Sequence, residues 1–172
     1  PIPIISCFSG GGGFDVGAER AGYKTVLALD IDKNACETLR RNKIADVVMG
    51  PPDSSGDLHS ISPEEILKAA KGKRSFPGLV VGGPPCQPFS LAANQRFSRD
   101  GDNFKRIGFK DKKRGTLLDR FENLMLYVRP AAFIVENVRG LMDIDGGNKI
   151  AEFRATMAKA GQRKCMSCEG FF

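Results

Sequence analysis

Residues 79–90 read LVVGGPPCQPFS, a short apolar run followed by glycines and then by a cysteine set among prolines. The apolar run predicts a buried strand over 79–81, which the Gly and Pro residues end sharply. Cys86 is therefore predicted to lie at the carboxyl end of a strand, where open α/β sheets bind their ligands. Many free cysteines are simply small buried residues. The prolines, which stiffen the loop, and the neighbouring Gln and Ser suit an exposed loop instead, so we interpret Cys86 as a reactive residue.

The composition is that of one ordinary globular domain. The chain has 172 residues, of which 41% are hydrophobic and 27% charged, and a domain of this length can bury about 70% of the surface that it exposes when unfolded. No apolar run approaches the roughly 18 residues of a membrane span, so no membrane partner is expected. No signal peptide is expected before Pro1.

The cysteines indicate a reducing compartment. There are five, an odd number, and they are scattered along the chain, unlike the disulfide framework of a small secreted protein. We therefore expect an intracellular protein. Cys165 and Cys168 have the spacing of half a zinc site, but no second pair accompanies them and the only histidine is His59. No metal site is predicted.

The N-terminal region predicts a nucleotide-type binding site. A β-prone run over 2–8 leads into Ser9 and four glycines, and a helix is predicted over 14–21. Glycines allow a ligand close to the backbone, and the helix N-terminus carries partial positive charge. A second strand over 24–29 ends at Asp30, twenty residues after Gly10, a separation at which a carboxylate can bind ribose hydroxyls. Asp30 or Asp32 could instead cap the next helix; we favour the cap for Asp32 and the ribose for Asp30.

The rest of the chain continues this alternation of strands and helices. Strands are predicted over 45–49 and 131–135, with a possible last strand over 163–172, and helices over 33–42, 63–70, 116–128 and 148–160. Ser62 and Glu65 form the signature of a capping box before the helix at 63–70. The pattern predicts an α/β fold with a doubly wound, mainly parallel sheet, in one domain over 1–172.

A basic segment follows the Cys86 loop. Between positions 96 and 114 there are eight basic and three acidic residues, a net charge of +5 within a chain of net charge +6. A run of charge is often only a solvated surface, but its position after Cys86 favours an anionic substrate.

Three motifs in order closely resemble those of the cytosine-5 DNA methyltransferases: the glycine motif over 8–13, the Pro-Cys-Gln motif at 85–87 and Glu136-Asn137-Val138. The resemblance covers nearly the whole chain and implies a Rossmann-like methyltransferase fold with S-adenosyl-L-methionine as cofactor. The following residues match positions where the family contacts that cofactor: Phe8, Ser9, Gly10, Gly11, Gly12, Gly13, Asp30, Ile31, Asp57, Leu58, Pro84 and Leu117.

The resemblance also implies a mechanism. Cytosine C5 is a poor nucleophile, so the family adds a thiolate to C6, and Cys86 takes that role between Pro85 and Gln87. Glu136 would act beside N3 of the base, where a carboxyl group helps the ring to accept electron density, with Asn137 orienting its loop. The base that removes the C5 proton is not identified.

The substrate implied is double-stranded DNA, from which the cytosine is flipped out. The loop over 90–114 would close on the base and contact phosphates. The expected contacts are Ser90, Arg96, Arg99, Lys105, Arg106, Lys112, Lys113 and Arg114. The branch of the family that methylates tRNA, and a non-catalytic cofactor-binding partner, remain alternatives.

Some parts of the family pattern are missing from these 172 residues. We find no counterpart of the family's Gln-x-Arg-x-Arg motif, its target-recognition domain or its C-terminal helix. We therefore expect a catalytic domain truncated at its C-terminus, either a fragment or one subunit of a split enzyme with a second polypeptide as partner. The expected location is the cytoplasm or nucleoid of a bacterium, or the nucleus of a eukaryote.

Overall fold

The computed structural model describes residues 1–73, 75–85, 117–137 and 147–162. The chain divides into two compact units, residues 1–85 with 117–136 and residues 86–116 with 137–172. The first unit contains the sheet. That residues 1–172 form one domain stays a prediction.

The helices and strands alternate as the sequence predicts. The strands are β1 (Ile2–Cys7), β2 (Tyr23–Leu29), β3 (Val47–Met49), β4 (Leu79–Gly82) and β5 (Ala132–Val135). The helices are α1 (Gly13–Arg20), α2 (Lys33–Arg41), α3 (Pro63–Ala69), α4 (Leu117–Val128) and, in the second unit, α5 (Asn148–Gln162).

Among the described residues the five strands form one sheet in the order β3-β2-β1-β4-β5. Every neighbouring pair is parallel. The order reverses beside β1, because β2 and β3 extend to one side of it and β4 and β5 to the other. The prediction of a doubly wound parallel sheet is confirmed, and the switch point lies between β1 and β4.

The core consists of the central strands and the apolar faces of the helices packed on them. Ile4, Ile5, Leu27 and Val80 are fully buried, as expected for parallel strands covered on both faces. The sequence over 116–128 is amphipathic and predicts that Leu117, Phe121, Leu124 and Val128 share the buried face of α4, and this is largely correct. Phe121, Leu124 and Val128 are buried, whereas Leu117 is half-buried and Leu118 takes the inner position.

Two boundaries differ from the sequence-based predictions by two residues, and the other boundaries agree to within one residue. The third strand begins at Val47 and not at position 45, because the chain is still leaving α2: Lys43 has φ +51° and Ile44 N donates to Leu39 O at 3.1 Å. The last helix extends to Gln162 and not to 160, since its Gly161 continues the helix. The strand suggested for 163–172 lies outside the described residues.

Candidate active site

The last residues of all five strands lie in one row. Cys7 is opposite Leu29 and Gly82, Leu29 is opposite Met49, and Gly82 is opposite Val135. The segments that follow these residues therefore leave the sheet along a single edge. That edge receives the residues that the sequence singles out around positions 8–13, 30–31 and 136, because parallel strands end together.

The turn at 8–13 follows β1 and is closely hydrogen-bonded. Ser9 N donates to Leu29 O at 3.2 Å, and the Ser9 hydroxyl donates to Ser6 O at 2.9 Å. Gly12, the N-cap of α1, has φ +86°, and a Cβ there would lie 2.7 Å from Ile44 Cδ1. A Cβ added to Gly10 would have no described atom within 4 Å, apart from those of its neighbours in the chain. The turn is thus packed on one side and open at Gly10, as a backbone that approaches a ligand must be.

Asp30 holds this turn to the end of β2. One carboxylate oxygen, Oδ2, accepts from Gly10 N at 2.8 Å, and the other, Oδ1, accepts from Asp32 N at 2.8 Å. A carboxylate has about four lone-pair positions, so both oxygens retain capacity for a ligand. Ile31 beside it is 65% exposed, an apolar surface next to an acceptor. Asp32 caps α2 by accepting from Ala35 N at 2.8 Å, which confirms its predicted role.

Asp57 and Leu58 are positioned by the close approach of Gly56 to Asp30. A Cβ on Gly56, whose φ is +66°, would collide with the backbone oxygen of Asp30. Asp57 Oδ1 accepts from His59 N at 2.9 Å, and Leu58 is buried. The two predicted cofactor contacts therefore lie in a turn that rests against Asp30.

Glu136 lies beside the end of β4. Its backbone N donates to Gly82 O at 3.0 Å, and a Cβ added to Gly83 would lie 3.1 Å from Glu136 Oε2. The Glu136 side chain is exposed, Pro84 is buried and Pro85 is exposed. The carboxyl group predicted to act on the base is thus placed next to Gly83, three residues before Cys86 in the sequence.

The ring of Phe121 packs near both Phe8, which follows β1, and Gly82, which ends β4. The side chain is fully buried, its ring centroid lies 6.2 Å from that of Phe8, and a Cβ on Gly82 would lie 2.5 Å from its Cε2. The sequence identifies Phe121 only as one residue on the apolar face of α4. Its contact with Phe8 in the glycine turn was therefore not predicted. Glycine at position 82 is required because this ring occupies the space of a side chain.

Cys7 and Cys36, the two cysteines within the described residues, are not suited to be nucleophiles. Burial, and then the nearby Asp15, raise the pKa of the Cys7 thiol far above its ordinary value. Burial, and then the Asp30 carboxylate, raise the pKa of the Cys36 thiol, whose Sγ donates to Asp30 O at 3.2 Å. Since the thiolate is the reactive form of cysteine, the raised pKa values make both thiols poor nucleophiles.

Residues 2–166 match the sequence profile of the C-5 cytosine-specific DNA methylases. The chain belongs to this family. It is similar to three Type II methyltransferases from bacteria: M.AquIA of Picosynechococcus sp. (38% identity, covering 92% of this chain and 56% of the relative), M.PspPI of Psychrobacter sp. (34%, 86% and 30%) and M.Sau96I of Staphylococcus aureus (36%, 92% and 32%). The chain therefore spans about half or less of the length of these relatives.

Solved structures give the same fold. A prophage-encoded protein of E. coli, described as a DNA modification methyltransferase, superposes with a TM-score of 0.67 at 24% identity, over 92% of this chain and 38% of its own length. A variant of DNMT2 from Spodoptera frugiperda gives 0.59 at 18% identity, over 93% of this chain and 41% of its own. At such identities the likeness is one of fold, and it places this member of the methylase family among Rossmann-like methyltransferases.

In this member of the family the structure thus brings together the predicted residues of the first unit. Phe8 to Gly13, Asp30, Ile31, Asp57, Leu58, Pro84 and Glu136 all belong to segments that follow the strand ends, and Leu117 begins α4. Asn137 is described but belongs to the second unit. The remaining predicted residues lie outside the described ranges: Cys86, Gln87, Ser90, Arg96, Arg99, Lys105, Arg106, Lys112, Lys113 and Arg114. No helix in the described ranges is long and apolar enough to cross a membrane.

Proposed function

We propose that the protein transfers a methyl group from S-adenosyl-L-methionine to C5 of cytosine in DNA. The observation that carries this proposal is the position of Glu136 Oε2 beside Gly83, at the same sheet edge where Asp30 bonds Gly10 N at 2.8 Å. The carboxyl group proposed for the base and the turn proposed for the cofactor thus follow strands that end at one edge of the sheet. Family membership supports the reaction type.

The chain's own residues fit the proposed cofactor. Asp30 offers acceptor capacity to ribose hydroxyls, the exposed Ile31 offers an apolar surface to the adenine ring, and the open space at Gly10 admits a ligand close to the backbone. Asp57 and Leu58 border the same region. When bound, the cofactor supplies an electrophilic methyl group.

The proposed reaction begins at Cys86. Its thiolate adds to C6 of the flipped cytosine, which makes C5 electron-rich enough to take the methyl group. As the C5–methyl bond forms, the sulfur–methyl bond of the donor would break and the donor would leave as a neutral thioether. Glu136 acts beside N3 and favours the addition by donating a proton or hydrogen bond to the ring. After transfer a base removes the C5 proton, and elimination of the Cys86 thiolate restores the aromatic ring. The loop over 90–114, which contains the basic segment, contacts the DNA phosphates. Because the proposed substrate is DNA, we place the activity inside the cell.

We propose in addition that the active enzyme needs the family's remaining motifs, on the same polypeptide or on a second one. The chain spans 56% of M.AquIA and 30% of M.PspPI. In the described ranges β5 pairs with β4 alone, and Ile134 of β5 is 45% exposed, so its outer edge is open to another strand. Residues 1–172 assayed alone should not methylate DNA at a useful rate; sequence-specific methylation by a monomer of these residues would contradict this.

The proposal is tested by incubating the complete protein with S-adenosyl-L-methionine labelled in its methyl group. Duplex DNA and tRNA are offered in parallel, and Cys86→Ser is assayed beside the wild type. We expect label in DNA cytosine, none in tRNA, and no methylation by Cys86→Ser although it binds the cofactor within a few-fold of wild type. Label in tRNA alone would assign the protein to the RNA-directed branch. Cofactor binding without transfer to either nucleic acid would indicate a non-catalytic role.

A further inference from the structure

Arg40, in the last turn of α2, binds the loop after β3. Its guanidinium donates to Pro51 O and Gly50 O, at 2.6 and 2.8 Å, and to Val48 O at 3.3 Å. It also pairs with Asp53 at 3.0 Å. The Arg40 side chain is 29% exposed, whereas that of Asp53 is 71% exposed. The hydrogen bonds from Arg40 to the carbonyls are therefore more buried than its ion pair with Asp53. Because that ion pair is exposed to solvent, it contributes little to stability.

The loop that Arg40 binds also encloses the backbone of Asp30. A Cβ on Gly50 would collide with Asp30 O and with Cys36 Sγ, and a Cβ on Gly56 would collide with Asp30 O. Asp30 N donates to Met49 O at 3.2 Å. The carbonyl of Asp30 thus lies in a closely fitting site formed by the loop and by α2. A displacement of this loop must displace Asp30, because no free space separates them.

We propose that Arg40 is a positioning residue for the cofactor site, acting through this loop on Asp30. The inference rests on the proposed function, since it assumes that Asp30 binds the ribose. Arg40 itself lies ten residues after Asp30 in the sequence, and the partners of its guanidinium are in β3 and in the loop after it. Its role is to keep the Asp30 carboxylate where one oxygen bonds Gly10 N and the remaining lone pairs face the ligand.

The chemistry explains why arginine occupies this position. A planar guanidinium has five N–H donors in a fixed fork, so it can bind three carbonyls and one carboxylate at once. A lysine ammonium is a compact charge with three donors on a flexible stem, and it cannot reproduce this geometry. Arg40→Lys therefore keeps the charge and the helix while removing the fork.

The matched control is the adjacent residue. Arg41 also lies in the last turn of α2, but its guanidinium pairs with the exposed side chain of Glu37 and is itself 77% exposed. Arg41→Lys makes the same chemical change without touching the loop. Asp53→Asn is a second control, because it removes the ion pair of Arg40 and leaves the three carbonyl bonds in place.

The experiment measures the affinity of the complete protein for S-adenosyl-L-methionine by calorimetry, and steady-state constants for methylation. Arg40→Lys should raise the dissociation constant about tenfold and raise KM for the cofactor in parallel, with kcat and KM for DNA close to wild type. Arg41→Lys and Asp53→Asn should stay within twofold. A residue that only stabilised the fold would lower Tm and leave KM for the cofactor unchanged.

A double variant shows whether the effect passes through Asp30. In an Asp30→Asn background, Arg40→Lys should weaken binding by less than twofold, because coupled residues are not additive. In the otherwise wild-type protein, hydrogen exchange should be faster at the amides of Gly10 and Asp30 in Arg40→Lys. If Arg40→Lys weakened cofactor binding tenfold both with and without Asp30→Asn, the inference would be overturned. It would also be overturned if Arg40→Lys changed neither the affinity for the cofactor nor the hydrogen exchange of these amides. Wild-type protein that fails to bind the cofactor would overturn the proposed function, and this inference with it.

Discussion

The side chain of Glu136 lies so close to Gly83 that a side-chain carbon at position 83 would crowd its carboxylate. A Cβ at position 83 would lie 3.1 Å from Glu136 Oε2, so in Gly83→Ala the exposed carboxylate must shift by a few tenths of an ångström. Because the flexible end of the side chain can move, we expect little change in Tm but a slower reaction, since the shifted atom is the one proposed to act on the base.

The measurement is kcat for DNA methylation together with Tm and cofactor affinity. A matched control is Gly17→Ala, where a Cβ meets nothing among the described residues and where alanine favours the helix. An unchanged kcat in Gly83→Ala would mean that the observed position of the Glu136 carboxyl is not the reactive one.

Glu136 should matter for rate and not for cofactor binding. Glu136→Gln keeps the shape of the side chain but removes the proton that a carboxyl group can donate, so we expect kcat to fall by about 10²-fold or more. The dissociation constant of the cofactor should barely change, because its proposed contacts belong to other segments. A variant with a near-normal rate at neutral pH would show that Glu136 is only structural.

At the scale of the element, α3 depends on its capping box. The Ser62 hydroxyl accepts from Glu65 N at 3.2 Å, and Glu65 Oε2 accepts from Ser62 N at 2.8 Å, which confirms the predicted box. Ser62→Ala should lower the free energy of unfolding by about 1 kcal/mol, whereas Ser62→Thr should restore most of it. Denaturant titration of the three proteins measures this, and equal stabilities would contradict the role of the cap.

The same box makes a pH-dependent contribution. Hydrogen bonds from the Ser62 backbone and hydroxyl lower the pKa of Glu65 below its ordinary value of 4.5. A carboxyl group whose pKa is lower in the folded than in the unfolded chain stabilises the fold above the unfolded pKa, and this contribution is lost as pH falls through the folded pKa. The difference in stability between wild type and Glu65→Gln should therefore shrink as pH falls below about 4.5.

At the scale of the whole molecule, the net charge of +6 and its concentration over 96–114 predict salt-sensitive affinity for DNA. Each phosphate contact contributes about 0.9 to the slope of log affinity against log salt. Replacing Lys112 and Lys113 by Gln should lower that slope by about 2, whereas Lys24→Gln, on the exposed ion pair with Asp46, should leave it unchanged. Binding measured between 50 and 200 mM salt tests this, and an unchanged slope would identify the segment as a solvated surface.

The sequence alone was sufficient for the order of strands and helices, the parallel sheet and the family. These depend on local signals such as apolar runs, the glycine turn at 8–13 and the capping box at Ser62, and on motifs in a specific order, so they can be predicted without knowing any distance. The role of Asp32 as a cap was predictable because Asp is a preferred residue before a helix. The proximity of Glu136 to the end of β4 was predictable because parallel strands place their carboxyl ends together.

Only the tertiary structure determined which side chains support those motifs. Phe121 fills the space above Gly82, and Arg40 binds the carbonyls of the loop that encloses Asp30. In the sequence, Phe121 is one member of an apolar stripe and Arg40 one of 26 basic residues. Such packing contacts and such hydrogen bonds to backbone carbonyls leave no pattern in the local sequence. The atoms in contact come from separate segments, which meet only when the sheet has formed.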